Sequence, residues 1–175
     1  MRRLILLRHA KAHRDDPAGD RARALTDRGR ADAAAAGAWM RDHAIAPDVA
    51  LVSDARRARE TMERLLPALV RPPHMRVEPR LYLADPATLL RAIRATPADA
   101  RVALVVGHNP GIAELALALA GEGVAEAVGR LAHAFPTASL AVLAFDGEWG
   151  DLGERDGRLE RFVTARAAHD RTAER

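Results

Sequence analysis

Two histidines in this chain follow the same kind of segment. His9 comes after the apolar run Leu4-Ile5-Leu6-Leu7 and Arg8; His108 comes after Val102-Ala103-Leu104-Val105-Val106 and Gly107. A third apolar run, Val49-Ala50-Leu51-Val52, stops at Ser53-Asp54 and leads to Arg57. If the three runs are parallel strands, their carboxyl ends share one edge of a sheet, where ligands of such folds bind. Two imidazoles and at least two guanidiniums then meet at one rim. Arginine matches phosphate oxygens with a planar fork and stays charged. Neutral imidazole is a competent nucleophile toward phosphorus. Its neighbours can spread charge over the equatorial oxygens during transfer, the work Mg²⁺ does elsewhere. The expected chemistry is therefore phosphoryl transfer with no metal and no cofactor. No Walker sequence or other glycine-rich phosphate loop offers another route.

The elements needed to position these residues are readable in the same way. Unalternating apolar runs suit strands covered on both faces. Strands are expected at Leu4–Leu7, Val49–Val52, Val102–Val106 and Ser139–Phe145, with shorter ones at Met75–Val77 and Phe162–Val163. Thr26 or Asp27 caps a helix reaching about His43, with Ala33, Ala36, Trp39, Met40 and His43 on one face. Ser53 or Asp54 caps a second helix ending near Pro67. Asp85-Pro86 opens a third helix, to about Ala95, and a fourth runs from Ile112 to Ala120 before Gly121 and Gly123 break it. Asp146-Gly147 is a hairpin signal. The alternation predicts an α/β class: a three-layer α/β/α sandwich on a mainly parallel, mixed sheet. The chain reads as a single domain over 1–175, with a frayed tail or short helix from about 165.

Composition narrows the classes. The chain has 175 residues, 49% hydrophobic and 29% charged, enough for a sizeable core. It has no cysteine, which excludes disulfides, Cys-ligated zinc, iron–sulfur clusters and a thiol nucleophile. Aromatic residues are only 3% and acids are interspersed among the arginines, which argues against a nucleic-acid partner. No apolar run approaches the ~18 residues of a membrane span. The stretch before Arg8 is too short for a signal peptide, so a cytoplasmic location is expected. His9 and His13 are four apart, but the intervening segment reads as loop rather than a metal-binding helix face.

Four blocks carry a resemblance. They are Leu6-Leu7-Arg8-His9-Ala10-Lys11, then Asp20-Arg21-Ala22-Arg23-Ala24-Leu25-Thr26-Asp27-Arg28-Gly29, then Ser53-Asp54-Ala55-Arg56-Arg57-Ala58-Arg59-Glu60-Thr61, and Val105-Val106-Gly107-His108-Asn109-Pro110-Gly111. In this order they resemble the histidine phosphatase (phosphoglycerate-mutase-like) superfamily. The short chain resembles its SixA-type phosphohistidine phosphatase branch. The resemblance implies that His9 becomes phosphorylated and that Arg8 and Arg57 grip the phosphoryl oxygens. It further implies that His108 completes the pocket, that Arg23 adds a phosphate contact, and that Thr26 and Gly29 shape the helix start. Arg21, two residues from Arg23, could exchange with it through a shifted loop.

The sequence departs from the family pattern at Ala10, Ala24 and Asp54. A carboxylate at Asp54 would repel phosphate unless it turns away to cap the helix. No general acid is evident: Glu78 and Asp85 lie in the right part of the chain but read as surface or capping residues. A departing imidazole needs less acid help than an alkoxide, for which such help is typically worth ~10²–10⁴-fold. The expected substrate is thus phosphohistidine on a partner protein. A small-molecule phosphomonoesterase and a non-catalytic phosphate-binding module are the alternatives.

Overall fold

Strand β1 (Arg2–Arg8) shows why the chain folds in layers. Leu4, Ile5, Leu6 and Leu7 are all fully buried, so both faces of the strand are covered. Leu4 and Leu6 join one core with Leu89, Ile93, Ile112 and Leu115. Ile5 and Leu7 join another with Trp39, Met40, Met62 and Leu65. In the computed structural model, which describes residues 1–123 and 125–173, these two cores separate three layers. Helices α1 (Asp27–Asp42), α2 (Arg56–Leu65) and α6 (Ala165–Ala173) cover one face of the sheet. Helices α3 (Pro86–Arg94), α4 (Gly111–Leu119) and α5 (Ala125–His133) cover the other.

The remaining strands are β2 (Val49–Ser53), β3 (His74–Glu78), β4 (Val102–Gly107), β5 (Ala120–Gly123), β6 (Leu140–Phe145) and β7 (Gly157–Val163). They form a seven-stranded sheet in the order β3-β2-β4-β1-β6-β7-β5. Among the described residues, β6 is the strand that runs against the rest. The sheet is therefore mainly parallel and mixed, as its alternating elements predict. Among the described residues, no helix is long and apolar enough to cross a membrane.

Several local expectations give way. Helix α4 ends before Gly121 and Gly123, as expected, but these residues go on into an unforeseen strand, β5, paired with β7. Helix α5 is additional, and β7 is far longer than Phe162–Val163. Asp146-Gly147 does not make a tight hairpin: residues 146–156 separate β6 from β7, with a 3₁₀ turn at Trp149–Asp151. Trp149 is buried there and donates to Ala100 O, which anchors the excursion. Helix α2 starts after Ala55 with no side-chain cap, so neither Ser53 nor Asp54 caps it. The tail is helical to Ala173: Ala168 is buried, and His169 Nε2 lies 2.9 Å from Asp32 Oδ1 of α1. Residues 174 and 175 of the expected frayed tail lie outside the described residues.

Helix α1 begins as predicted, with Thr26 Oγ1 accepting from Gly29 N at 3.0 Å. Thr26 also donates its own N–H to Lys11 O at 2.9 Å, tying the helix start to the segment after His9. Gly29 permits this approach, because a Cβ there would lie 2.0 Å from Lys11 O. Gly29→Ala is expected to lower stability by about 1–3 kcal/mol through overpacking. Equilibrium denaturation checks this; an unchanged midpoint contradicts the close approach.

Candidate active site

The parallel pairing of β1 with β4 puts Arg8 opposite Gly107. His9 and His108 are the next residue of each strand, so they emerge side by side. His9 N donates to Gly107 O at 3.0 Å, extending the ladder by one step. The ring centroids lie 5.2 Å apart at 56°. On the other side of β4, the β2 pairing runs through Val52 and Val106, which brings Ser53 beside His108. Helix α2 then returns Arg57 over both rings.

Arg57 is 1% exposed. Its Nε donates to His9 Nε2 at 3.3 Å, and its Nη2 faces His108 Nδ1 at 3.4 Å. These contacts fix the tautomers. His9 Nδ1 lies 2.8 Å from Ala10 O, and a carbonyl only accepts, so Nδ1 carries the proton and Nε2 the lone pair. His108 presents its Nδ1 lone pair to Arg57 and donates from Nε2 to Ser53 Oγ at 2.7 Å. Burial and the neighbouring Arg57 and Arg8 guanidiniums lower the His9 pKa from 6.5 to about 4, against the opposing Ala10 hydrogen bond. Burial, then His9 and Arg57, lower His108 to about 3. Both imidazoles are neutral near pH 7, the form a nucleophile needs.

Thr61 holds this arrangement from beneath: Oγ1 accepts from Ala10 N at 2.9 Å and donates to Arg57 O at 2.6 Å. Glu60 accepts from Leu25 N at 2.8 Å and from Arg56 Nε at 2.6 Å. The paired residues Glu60-Thr61 thus join α2 to the segments on either side of the Arg23 loop.

Around the rim, Arg8 Nη1 donates to Phe135 O at 2.9 Å, while Arg8 Nε is buried with no hydrogen-bond partner. Burial lowers the Arg8 pKa. Arg23 Nε donates to Asp20 Oδ1 at 2.8 Å and its Nη1 to His13 O at 2.7 Å. Asp20 reaches inward: its carbonyl accepts from Arg57 Nη1 at 2.8 Å and its Oδ2 from Arg57 Nη2 at 3.0 Å. The Tyr82 hydroxyl donates to the same Oδ2. Arg21 does not exchange with Arg23; its guanidinium lies over the Tyr82 ring, 4.2 Å from the centroid.

His9, Arg57 and His108 are therefore in direct contact, with Arg8 and Arg23 at their edges. Two expectations about carboxylates need correction. Asp54 does not cap α2; its Oδ1 lies 3.7 Å from Arg21 Nε, too far for a hydrogen bond. Glu78 is buried rather than on the surface, 2.7 Å from Arg76 and also paired with Arg80. Asp85 caps α3 as predicted, accepting from Thr88 N at 2.7 Å. Sequence reasoning missed Ser53, read as a cap, and Asp20 and Tyr82. Asp20 stood in a quoted block, three residues before Arg23; Tyr82 carries no such signal. Among the described residues, no group of three or more His, Asp or Glu side chains is placed to hold a metal ion.

Two neutral imidazoles in contact with one guanidinium, with Arg8 and Arg23 at their edges, make an arrangement suited to phosphoryl transfer, and relatives agree. Residues 4–82 match the histidine phosphatase superfamily (branch 1). A structure assigned as a phosphohistidine phosphatase SixA from Nakamurella multipartitia is 32% identical, with a TM-score of 0.83, covering 93% of this chain and 95% of that one. Another so assigned, from Agrobacterium tumefaciens, is 30% identical, with a TM-score of 0.79, covering 93% and 97%. An uncharacterized protein of Mycobacterium leprae is 36% identical over 91% of this chain and 100% of its own length. The chain belongs to the histidine phosphatase superfamily, in its SixA-type branch, and is a phosphatase.

The neutral imidazoles tie stability to pH. Unfolded histidines titrate near 6.5, the buried pair near 4 and 3. Below 6.5 the unfolded chain takes up protons that the native chain refuses. The contribution is complete above 6.5 and is lost progressively as pH falls through about 4 and then 3. A His9→Gln/His108→Asn double variant is expected to lose less stability than the wild type between pH 6.5 and 4. Equal slopes in urea titrations across that range contradict the assignment.

Proposed function

We propose that this phosphatase hydrolyses phosphohistidine on a partner protein through a covalent phosphoryl group on His9. The observation that carries the reading is the state of His9. Its Nδ1–H is committed to Ala10 O, and its Nε2 lone pair faces Arg57 and the neighbouring ring. Attack by Nε2 on phosphorus needs no prior deprotonation.

The phosphoryl group lies between the two rings. Arg57 donates to its oxygens, and the unpartnered Nε of Arg8 supplies a further donor. Arg23 adds positive charge at the rim. His108 faces the equatorial oxygens and stabilises them as the transition state spreads charge. In the first step the His9 Nε2–P bond forms and the bond from phosphorus to the leaving atom breaks. In the second, water attacks phosphorus and His9 departs as neutral imidazole, retaining its Nδ1 proton. Neither step assigns a role to a metal or cofactor.

A protein-borne substrate is supported by the mouth. Only residues 79–85 link β3 to α3, and Tyr82 is their contribution to the rim. So short a connection leaves room for a histidine presented on another protein's surface.

Incubation with a phosphoramidate, followed by an acid quench time course and peptide mapping, tests the reading. The expected result is an acid-labile, base-stable phosphoryl group on His9, absent from His9→Ala. A label on another residue, or one that survives in His9→Ala, contradicts it. Arg57→Ala is expected to lower kcat about 10²–10³-fold, the range for losing a preorganised donor to developing charge.

A further inference from the structure

Among the described residues, Asp20 is the carboxylate that bonds to Arg57, and its position is specific. Arg57 gives its Nε to His9 and its terminal Nη1 and Nη2 to Asp20, while Nη2 also faces His108 Nδ1. The carboxylate therefore lies on the side of Arg57 away from the attacking nitrogen. In-line transfer puts the leaving group across phosphorus from His9 Nε2, and a carboxylate anchored at the end of Arg57 farther from His9 can face it there. Asp20 has two anchors besides Arg57: Arg23 on Oδ1 and the Tyr82 hydroxyl on Oδ2. It can thus stay in place while the phosphoryl group takes a share of Arg57. Tyr82 stands edge-on to His108, with centroids 5.6 Å apart, and gives this side an aromatic wall.

We infer that Asp20 is a specificity-determining residue for the leaving group, its carboxylate accepting the ring N–H of a departing imidazole. The inference rests on the function proposed above. The chemistry explains why an acceptor is useful there. A phosphorylated imidazole leaves easily only when its other ring nitrogen carries a proton. The P–N electron pair then returns to a cationic ring, which departs as neutral imidazole, while His9 Nε2 forms the new bond to phosphorus. No proton moves in this step. Without that ring proton the leaving group would be an imidazolate anion. An acceptor on the ring N–H favours the protonated ring. His9 has the same device in the carbonyl of Ala10, so each partner of a near-symmetric transfer would have its outer nitrogen held as N–H.

The same carboxylate is ill suited to esters. An alkoxide has to receive a proton, and Asp20 has none to give. Its hydrogen bond from Tyr82, followed by those from Arg57 and Arg23, holds its pKa at about 2. Among the described residues, Arg57, Arg23, Tyr82, His108 and the nearby Arg21 are charged or titratable groups around it.

The experiment compares kcat/KM for N-phosphoimidazole with that for p-nitrophenyl phosphate, whose leaving group has no ring N–H. Wild type, Asp20→Asn and Asp20→Glu are measured, with thermal unfolding confirming that each is folded. The ratio of the two kcat/KM values is expected to fall about ten- to a hundredfold in Asp20→Asn, the range for a hydrogen bond to a charged group. Asp20→Glu, which keeps the charge, is expected to hold it within about threefold. A ratio unmoved by Asp20→Asn, or one that falls as far in Asp20→Glu, overturns the assignment of Asp20 alone. A wild type that hydrolyses neither compound overturns the proposed function, and this inference with it.

Discussion

The site depends on one register. Strands β1 and β4 pair in parallel with Arg8 opposite Gly107, so that the residue after each is a histidine on the same edge. A slip of one residue would turn each side chain of a strand to the opposite face. It would also expose the leucines of β1, all of which are fully buried, to the wrong core. The energy that fixes the register is therefore hydrophobic and distributed over two cores. The geometry it delivers is local and polar: two rings with centroids 5.2 Å apart, under one guanidinium.

That guanidinium is costly to bury. Arg57 is 1% exposed and has two neutral imidazoles for neighbours. Its charge is compensated by the carbonyl and carboxylate of Asp20, contributed by a 3₁₀ turn at Asp20–Ala22. A buried cation with one partly exposed counter-ion favours a second anion nearby. Burial is the main reason that the pKa values of His9 and His108 are depressed, and the nearby positive charge of Arg57 and Arg23 adds to it. The guanidiniums that attract phosphate therefore also help to keep the rings unprotonated.

Much of this was legible in the sequence, because the strands that build the site are unbroken apolar runs ending in polar residues. Leu4–Leu7 and Val102–Val106 admit few readings other than covered strands, and the carboxyl-edge rule then brings His9 and His108 together. What failed to show depends on contacts between segments far apart. Ser53 reads locally as a helix cap, but its hydroxyl accepts from His108, 55 positions along the chain. Asp20 and Tyr82 meet across a sequence separation of 62, and nothing in either neighbourhood announces it. Gly121 and Gly123 look like breakers, since glycine weakens both helices and strands; pairing with β7 overrides that preference. Glu78 reads as a surface residue until Arg76 and Arg80 are seen to neutralise it.

The most direct measurement is a crystal structure of the chain soaked with vanadate, which mimics phosphorus with five oxygens around it. The account predicts vanadium bonded to His9 Nε2, its oxygens within hydrogen-bond distance of Arg57, Arg8 and His108. Vanadate bound elsewhere on the molecule, with His9 and His108 still bridged by Arg57 alone, would contradict it.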